Sequence, residues 1–123
     1  MTTQEVANRL VDLCRQGLFM DAIKELYSQD IVSIEPDGSP MKEVKGLDAV
    51  LQKTEHFNTM VEETHGGEIS NPLVADNFFS CTIKMDVTFK GAPRTIMEEV
   101  CIYKVKNGKI VYEEFFYTPS PAK

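Results

Sequence analysis

The first half of the chain places its hydrophobic residues at the spacing of α-helices. Thr2 followed by Glu5 has the spacing of a capping box, and Gly17 can adopt the left-handed backbone conformation that ends a helix. Between them the apolar residues repeat at helical intervals, at Val6, Leu10, Leu13 and Cys14. This pattern predicts a first helix, and residues 21–27 predict a second, shorter one.

A third helix is predicted after a short strand and a loop. Residues 31–34 form a β-branched run that ends at Glu35-Pro36, and a loop over residues 36–45 follows. Gly46 then opens a helix whose apolar stripe comprises Leu47, Val50, Leu51, Phe57, Met60 and Val61.

The second half of the chain has the pattern of strands. His65-Gly66-Gly67 closes the helical half, and residues 69–75 predict a weak strand. Asn71-Pro72 interrupts this strand, because proline cannot donate to a central ladder, so we expect an edge or a bulge there. Residues 79–89 alternate strictly between apolar and polar, which predicts a strand with one buried face.

Two turn signals extend this strand into a meander. Gly91-Ala92-Pro93 predicts a turn into a strand over residues 94–106. Asn107-Gly108 is a strong two-residue hairpin signal and predicts a further strand over residues 109–117. Three consecutive antiparallel strands result.

Both faces of the last two predicted strands carry apolar residues. Met97, Cys101, Phe115 and Tyr117 fall on the odd face, and Val100, Ile102, Ile110, Tyr112 and Phe116 fall on the even face. An antiparallel sheet with one wet face would alternate cleanly. Because three helices cover only one side of such a sheet, the pattern predicts a homodimer that packs through the other side. Coverage by the tail is the alternative.

Composition and charge narrow the class of protein. We expect one globular domain over residues 1–118 and a flexible tail over residues 119–123. The net charge of −6 argues against a nucleic-acid binder, and no stretch is apolar enough to span a membrane or act as a signal peptide, so a cytoplasmic location is expected. The three cysteines and two histidines lack the spacing of a metal site, and no metal or cofactor is expected.

Several segments, in order, resemble a known superfamily. They are Leu26 to Asp30, Glu35 to Pro40, Gly46 at a helix start, and Tyr103 to Val111. The chain resembles the SnoaL-like and ketosteroid-isomerase-like members of the nuclear-transport-factor-two-like superfamily over almost its whole length. The resemblance implies an α+β fold, in which three N-terminal helices pack on the concave face of a curved antiparallel sheet. Such a cystatin-like cone has an internal pocket for a small, largely apolar molecule.

The resemblance also suggests one catalytic residue and argues against one reaction. By position, the isomerases' general base falls on Glu35, which keeps a carboxylate. Their two oxyanion donors fall near Leu10 or Val11 and on Cys101, and a thiol is a poor donor. The resemblance therefore argues against classical ketosteroid isomerisation, because the base would lack a hydrogen-bonding acid.

The predicted hairpin register adds further candidate residues. A three-residue turn would pair Met85 with Glu99 and Ile83 with Cys101, so that Glu99 would point into the pocket. Glu113 would share that face, and Lys53 would reach it from the third helix. Three glutamates around one lysine could separate acid and base roles. The alternative is that Glu99 and Glu113 face water at a strand edge and that Lys53 is solvated.

The remaining candidate residues would form the pocket wall. They are Met85, Met97, Cys101, Phe57, Phe115, Tyr117 and His56. The first functional hypothesis is an isomerase-, cyclase- or hydrolase-type enzyme for a small carbonyl compound, with Glu35 as base and the other charged residues as orienting or acid groups. The second is a non-catalytic ligand-binding dimer, and the third is an interaction module without a cavity.

Overall fold

A computed structural model describes residues 1–119 of the chain. Over these residues the protein has an α+β fold with three helices and one seven-stranded sheet. The elements in chain order are α1 (Thr3–Arg15), α2 (Phe19–Leu26), β1 (Tyr27–Ile34), β2 (Glu43–Lys45), α3 (Leu47–Met60), β3 (Val61–Ile69), β4 (Leu73–Ala75), β5 (Phe78–Phe89), β6 (Thr95–Lys106) and β7 (Lys109–Phe116).

The curved sheet has the strand order β2-β1-β7-β6-β5-β3, and the short β4 pairs with β5. All neighbours are antiparallel except β1 and β7, which run parallel. Helix α1 contacts β3, β4 and β5, whereas α3 contacts β1, β2 and β3. We call the face that the helices contact the inner face and the opposite face the outer face. The hydrophobic core lies between the helices and the inner face.

The first helix begins as its sequence indicates. The Thr2 hydroxyl accepts a hydrogen bond from the Glu5 amide at 3.1 Å, and the Glu5 carboxylate accepts one from the Thr2 amide at 2.8 Å. This confirms the capping box, which satisfies amides that the helix leaves without partners. The apolar stripe is confirmed as well, since Val6 and Leu10 are buried in the core.

Two strands were absent from the sequence interpretation. The loop over residues 36–45 contains β2, a three-residue strand with little pattern to detect. Strand β3 begins at Val61, which the sequence analysis had assigned to the apolar stripe of the third helix. The strand runs through Gly66 and Gly67 to Ile69. Its pairing with β5 shifts register twice, and these bulges disrupt the alternation that would have marked it as a strand.

The predicted register of the β5–β6 hairpin is wrong by two residues. Ile83 pairs with Glu99, and Cys81 pairs with Cys101. The ladder between the two strands ends at Val87 opposite Thr95, so the connection is longer than the predicted three-residue turn. A shift of two residues keeps each side chain on its face, and Glu99 therefore still belongs to the inner face.

A bulge in β7 corrects the predicted position of Ile110. The β6–β7 register shifts between Lys104 and Val105, so that Ile110 pairs with Val105 and is fully buried in the core. The even-face assignment of Ile110 is therefore wrong, because alternation cannot show an inserted residue. Val100 and Phe116 do lie on the outer face, and roughly half of each remains exposed.

Two further points concern the predicted C-terminal tail and the length of the helices. Of the predicted tail, residues 119–123, the structure describes only Pro119, so that prediction lies outside the described residues. Within residues 1–119, none of the helices has the length and apolar character needed to cross a bilayer.

The bulge predicts unequal effects of the same substitution on two isoleucines. Ile110→Ala should lower the free energy of unfolding by about 2–5 kcal/mol, because it leaves a cavity in the core. Ile102→Ala, on the outer face, should cost less than about 1.5 kcal/mol. Urea unfolding of both variants measures this difference. Equal losses would contradict the inward placement of Ile110.

Candidate functional site

Lys53 reaches a group of polar residues on the inner face. Helix α3 is held over β1 at its start, where the Gly46 amide donates to the Ile31 carbonyl at 2.8 Å. Almost two turns later, the Lys53 ammonium donates to the Ser33 hydroxyl at 2.7 Å and lies 3.2 Å from the Glu35 carboxylate. The Lys53 and Glu35 side chains are each 17% exposed. The ion pair is therefore largely, but not fully, shielded from water.

Glu35 has a partner on each carboxylate oxygen. Lys53 contacts Oε2, and the Tyr117 hydroxyl donates to Oε1 at 2.6 Å. Tyr117 also lies 3.2 Å from the Ser39 hydroxyl in the β1–β2 loop. Burial and the neighbouring Glu35 raise the pKa of Tyr117 to about 12. Tyr117 therefore remains a neutral hydrogen-bond donor that fixes the Glu35 carboxylate.

Glu113 lies deeper in the same network and is 2% exposed. It is the Cα partner of Ser33 in the parallel β1–β7 pair, and it accepts hydrogen bonds from the Ser33 hydroxyl at 2.7 Å and from the Tyr27 hydroxyl. Burial raises the pKa of Glu113, while these hydrogen bonds and Lys53 oppose the rise. A continuous chain of contacts thus connects Tyr27 and Glu113, through Ser33 and Lys53, to Glu35.

Glu99 differs from the other two glutamates because, within residues 1–119, it has no strong hydrogen-bond partner. It is partly buried on β6, and the Cys101 thiol lies 3.8 Å from its Oε1 atom. Burial is the larger cause and the negative charge of Glu35 the second, and together they raise the pKa of Glu99 to about 7. At neutral pH this carboxyl group is present in both protonated and ionised forms.

The predicted wall residues fall into different environments. Phe115 lies beneath Lys53, with the ammonium 5.4 Å from the ring centroid. Met85 and Met97 are cross-strand partners and are partly exposed, whereas Cys101 is fully buried. Phe57 packs edge-on against Phe89 at 5.6 Å. His56 is exposed, so the structure places it outside the polar network.

The sequence interpretation missed three polar members of the network, namely Tyr27, Ser33 and Ser39. Ser33 lies on β1 two residues before Glu35, which follows the end of that strand, and this spacing directs both side chains to one side and could have revealed Ser33. The sequence analysis assigned Tyr27 to the second helix, and its contact with Glu113 depends on the parallel pairing of β1 with β7. Within residues 1–119, no three histidine, cysteine, aspartate or glutamate side chains are arranged to hold a metal ion.

This geometry can perform acid–base chemistry. It combines an oriented carboxylate, a nearby ammonium and a second carboxyl group that can hold a proton at neutral pH. Partly exposed apolar side chains adjoin these groups, so a ligand with an apolar body and a polar end could approach them.

Comparison with known proteins identifies similar chains. A family model described as the SnoaL-like domain matches residues 1–117. A crystal structure of a protein from Mesorhizobium loti, described as a SnoaL-like polyketide cyclase, is 37% identical, has a TM-score of 0.90, and is matched over 95% of this chain and 100% of its own. No functionally curated protein matches the sequence.

Two more distant crystal structures share the fold. One is an NTF2-like protein from Burkholderia pseudomallei, with 17% identity, a TM-score of 0.78, and coverage of 96% of this chain and 92% of that chain. The other, from Catenulispora acidiphila, has a ketosteroid isomerase-like fold and is in complex with trimethylamine; it shows 15% identity, a TM-score of 0.74, and coverage of 93% and 85%, respectively. At these identities the likeness establishes the fold alone.

The raised pKa of Glu99 predicts a pH-dependent loss of stability. The folded state favours the protonated form of Glu99. The stability that this form contributes is therefore fully present below the unfolded-state pKa of 4.5 and is lost as the pH rises through about 7. Glu99→Gln removes this titration. The free energy of unfolding of the variant, relative to that of wild type, should therefore rise by about 2 kcal/mol between pH 4.5 and pH 8. Urea unfolding at both pH values measures the change.

Glu98→Gln provides the matched control for this experiment. Glu98 is the exposed neighbour of Glu99 and pairs with Lys84 on the other side of the strand. Because an exposed ion pair contributes little to stability, the change in this variant relative to wild type measures the effect of removing one surface charge, and it should be smaller than that of Glu99→Gln. If the two variants gain equally, the carboxyl of Glu99 does not hold a proton at neutral pH.

Proposed function

The chain belongs to the SnoaL-like domain family, and from this membership we propose that it binds a small, largely apolar carbonyl compound and acts on it by acid–base catalysis. The observation that carries the proposal is the convergence of Glu35, Lys53 and Glu113 on the inner face, in one connected hydrogen-bond network. Buried charges are costly and are retained where they are paired or used, and such groups cluster at functional sites.

In this proposal Glu35 is the base that removes a proton next to the carbonyl group. Tyr117 and Lys53 hold its two oxygens, which fixes the orientation of the carboxylate toward a bound molecule. The Lys53 ammonium would stabilise the negative charge that then develops on the substrate. Glu99 and Glu113 are the acid or orienting groups, and the pKa of Glu99, which burial raises to about 7, suits it to donate a proton.

The nature of the wall supports an apolar ligand. Met85, Met97 and Phe115 are partly exposed on the inner face, beside the charged network. Flexible thioethers adapt to ligands of irregular shape, and an aromatic ring offers a flat contact. The Catenulispora acidiphila protein, in complex with trimethylamine, supports the idea that this fold accommodates small organic molecules.

A non-catalytic ligand-binding protein is the second candidate. One observation favours it: the position that resembles an isomerase oxyanion donor carries Cys101, which is fully buried and whose thiol is directed to Glu99 rather than to a ligand. In that case the Lys53 contacts would only fix the polarity of the site.

We also propose that the protein is a homodimer that packs through the outer face. Val100 and Phe116 expose about half of their surface there and line an open groove of about 660 Å³, to which the site residues Glu99 and Tyr117 also contribute. The groove also contains Lys84 and Glu98, which carry opposite charges. Two copies related by a two-fold axis could pair such charges reciprocally and cover the apolar residues.

The acid–base proposal predicts that Glu35→Gln removes catalysis but keeps the fold. Exchange of the α-protons of 2-cyclohexenone and 1-tetralone in D2O, followed by NMR, should slow by about 100-fold or more relative to wild type. Glu55→Gln, an exposed glutamate on α3, is the matched control and should exchange at the wild-type rate. Unchanged exchange in Glu35→Gln would exclude Glu35 as the base. Saturable binding of these ketones by wild type without exchange would favour the second candidate.

The dimer proposal predicts the effect of a charge on the outer face. Val100→Glu should convert a species of twice the chain mass into a monomer, because the new carboxylate would be buried without a partner. Met41→Glu, at an exposed apolar residue of the β1–β2 loop, should leave the mass unchanged. Light scattering coupled to size-exclusion chromatography measures both. A monomeric wild-type protein would refute the proposal.

A further inference from the structure

The three inner-face glutamates differ in how their oxygens are occupied. Glu35 has Lys53 on one oxygen and Tyr117 on the other, and Glu113 likewise has Ser33 and Tyr27. Within residues 1–119, the Glu99 side chain has a single hydrogen-bond partner, the thiol of Cys101 at 3.8 Å. Glu99 is therefore the glutamate whose environment depends most on one neighbour.

The backbone fixes this neighbour in place. Glu99 and Cys101 are two residues apart on β6, so both side chains project from the same face. Cys101 is fully buried, and across the strand pair its Cα partner is Cys81, which is also buried. The thiol therefore has little freedom to move away, and it has Glu99 and Cys81 as neighbours.

A thiol suits this position because it can serve both forms of the carboxyl group. Its S–H is a weak donor and its sulfur a weak acceptor. When Glu99 is ionised, Cys101 can donate to it. When Glu99 is protonated, the carboxyl can donate to the sulfur while the S–H turns toward Cys81. A hydroxyl would bind the ionised form more strongly, and a methyl group would bind neither form.

We propose that Cys101 is a positioning residue that holds the Glu99 carboxyl and adjusts how readily it takes up and releases a proton. The proposal deepens the acid–base function proposed above and rests on it for its purpose, since it makes Glu99 the proton-exchanging partner of Glu35. The physical contact between thiol and carboxyl stands independently of any substrate.

Other charged and titratable groups also act on Glu99. Those from the surrounding elements are Glu35, Lys53, Cys81, Glu113 and Tyr117. The negative charges of Glu35 and Glu113 raise its pKa, whereas Lys53 and the thiol lower it. A substitution of Cys101 leaves all of these other groups in place, so its effect on the titration reports the thiol contact itself.

The test is the titration of Glu99 followed by the chemical shifts of glutamate carboxyl carbons, with the Glu99 signal assigned by its loss in Glu99→Gln. Cys101→Ser should lower the midpoint by about 0.5–1 pH unit, because a hydroxyl is a stronger donor to the carboxylate. Cys101→Ala should raise it by a similar amount, because the donor is lost. Cys14→Ala, a buried thiol on α1, is the control and should leave the midpoint in place.

Opposite shifts in the two Cys101 variants separate a hydrogen-bonding role from simple packing. Shifts in the same direction, or none, would overturn the proposal. If Cys101→Ala does not fold, Cys101→Ser alone decides: a lowered midpoint supports the proposal, and an unchanged or raised one refutes it. The titration needs no substrate. Cys101 can therefore fail this test while Glu35-dependent exchange persists, and the two proposals remain distinguishable.

Discussion

The polar interior of this protein depends on one ammonium group, that of Lys53. Its contacts with Ser33 and Glu35 connect helix α3 to strand β1, and Ser33 extends them to Glu113 on β7. Without this cation, carboxyl groups from neighbouring strands would face one another in a poorly solvated space, where like charges repel strongly. The positive charge of Lys53 thus allows the sheet and the third helix to place polar side chains at the same point of the inner face.

The topology of the sheet explains why these groups meet. Strand β1 comes early in the chain and β7 comes last, yet they pair in parallel, with Ser33 opposite Glu113. The long connection between them contains α3, which returns across the inner face and delivers Lys53. A network that joins residues so distant in sequence forms only when the sheet is complete, so the site and the fold are established together.

The sequence predicted much of this arrangement, for reasons that differ among the elements. The first helix and strand β5 have strong periodicity, and Asn107-Gly108 marks the last hairpin through its left-handed backbone, with φ angles of 53° and 76°. Glu99 and Glu113 lie on one face as predicted, although the predicted register was wrong by two residues, because a shift of two residues leaves each side chain on the same face. Ile110, Val61 and Tyr27 could not be placed correctly, because bulges and a parallel strand pair leave no local pattern.

The energetic balance of the site explains why Glu99 is the exception within it. Among the described residues, no buried side-chain nitrogen or oxygen lacks a hydrogen-bond partner, so the network offsets much of its desolvation cost. Glu99 alone among the three glutamates relies on a thiol, a weak partner that leaves part of that cost in place. The same burial that weakens the fold at high pH keeps a proton available at neutral pH. A stronger donor at position 101 would stabilise the ionised carboxylate and thereby remove the property that makes Glu99 useful for proton transfer.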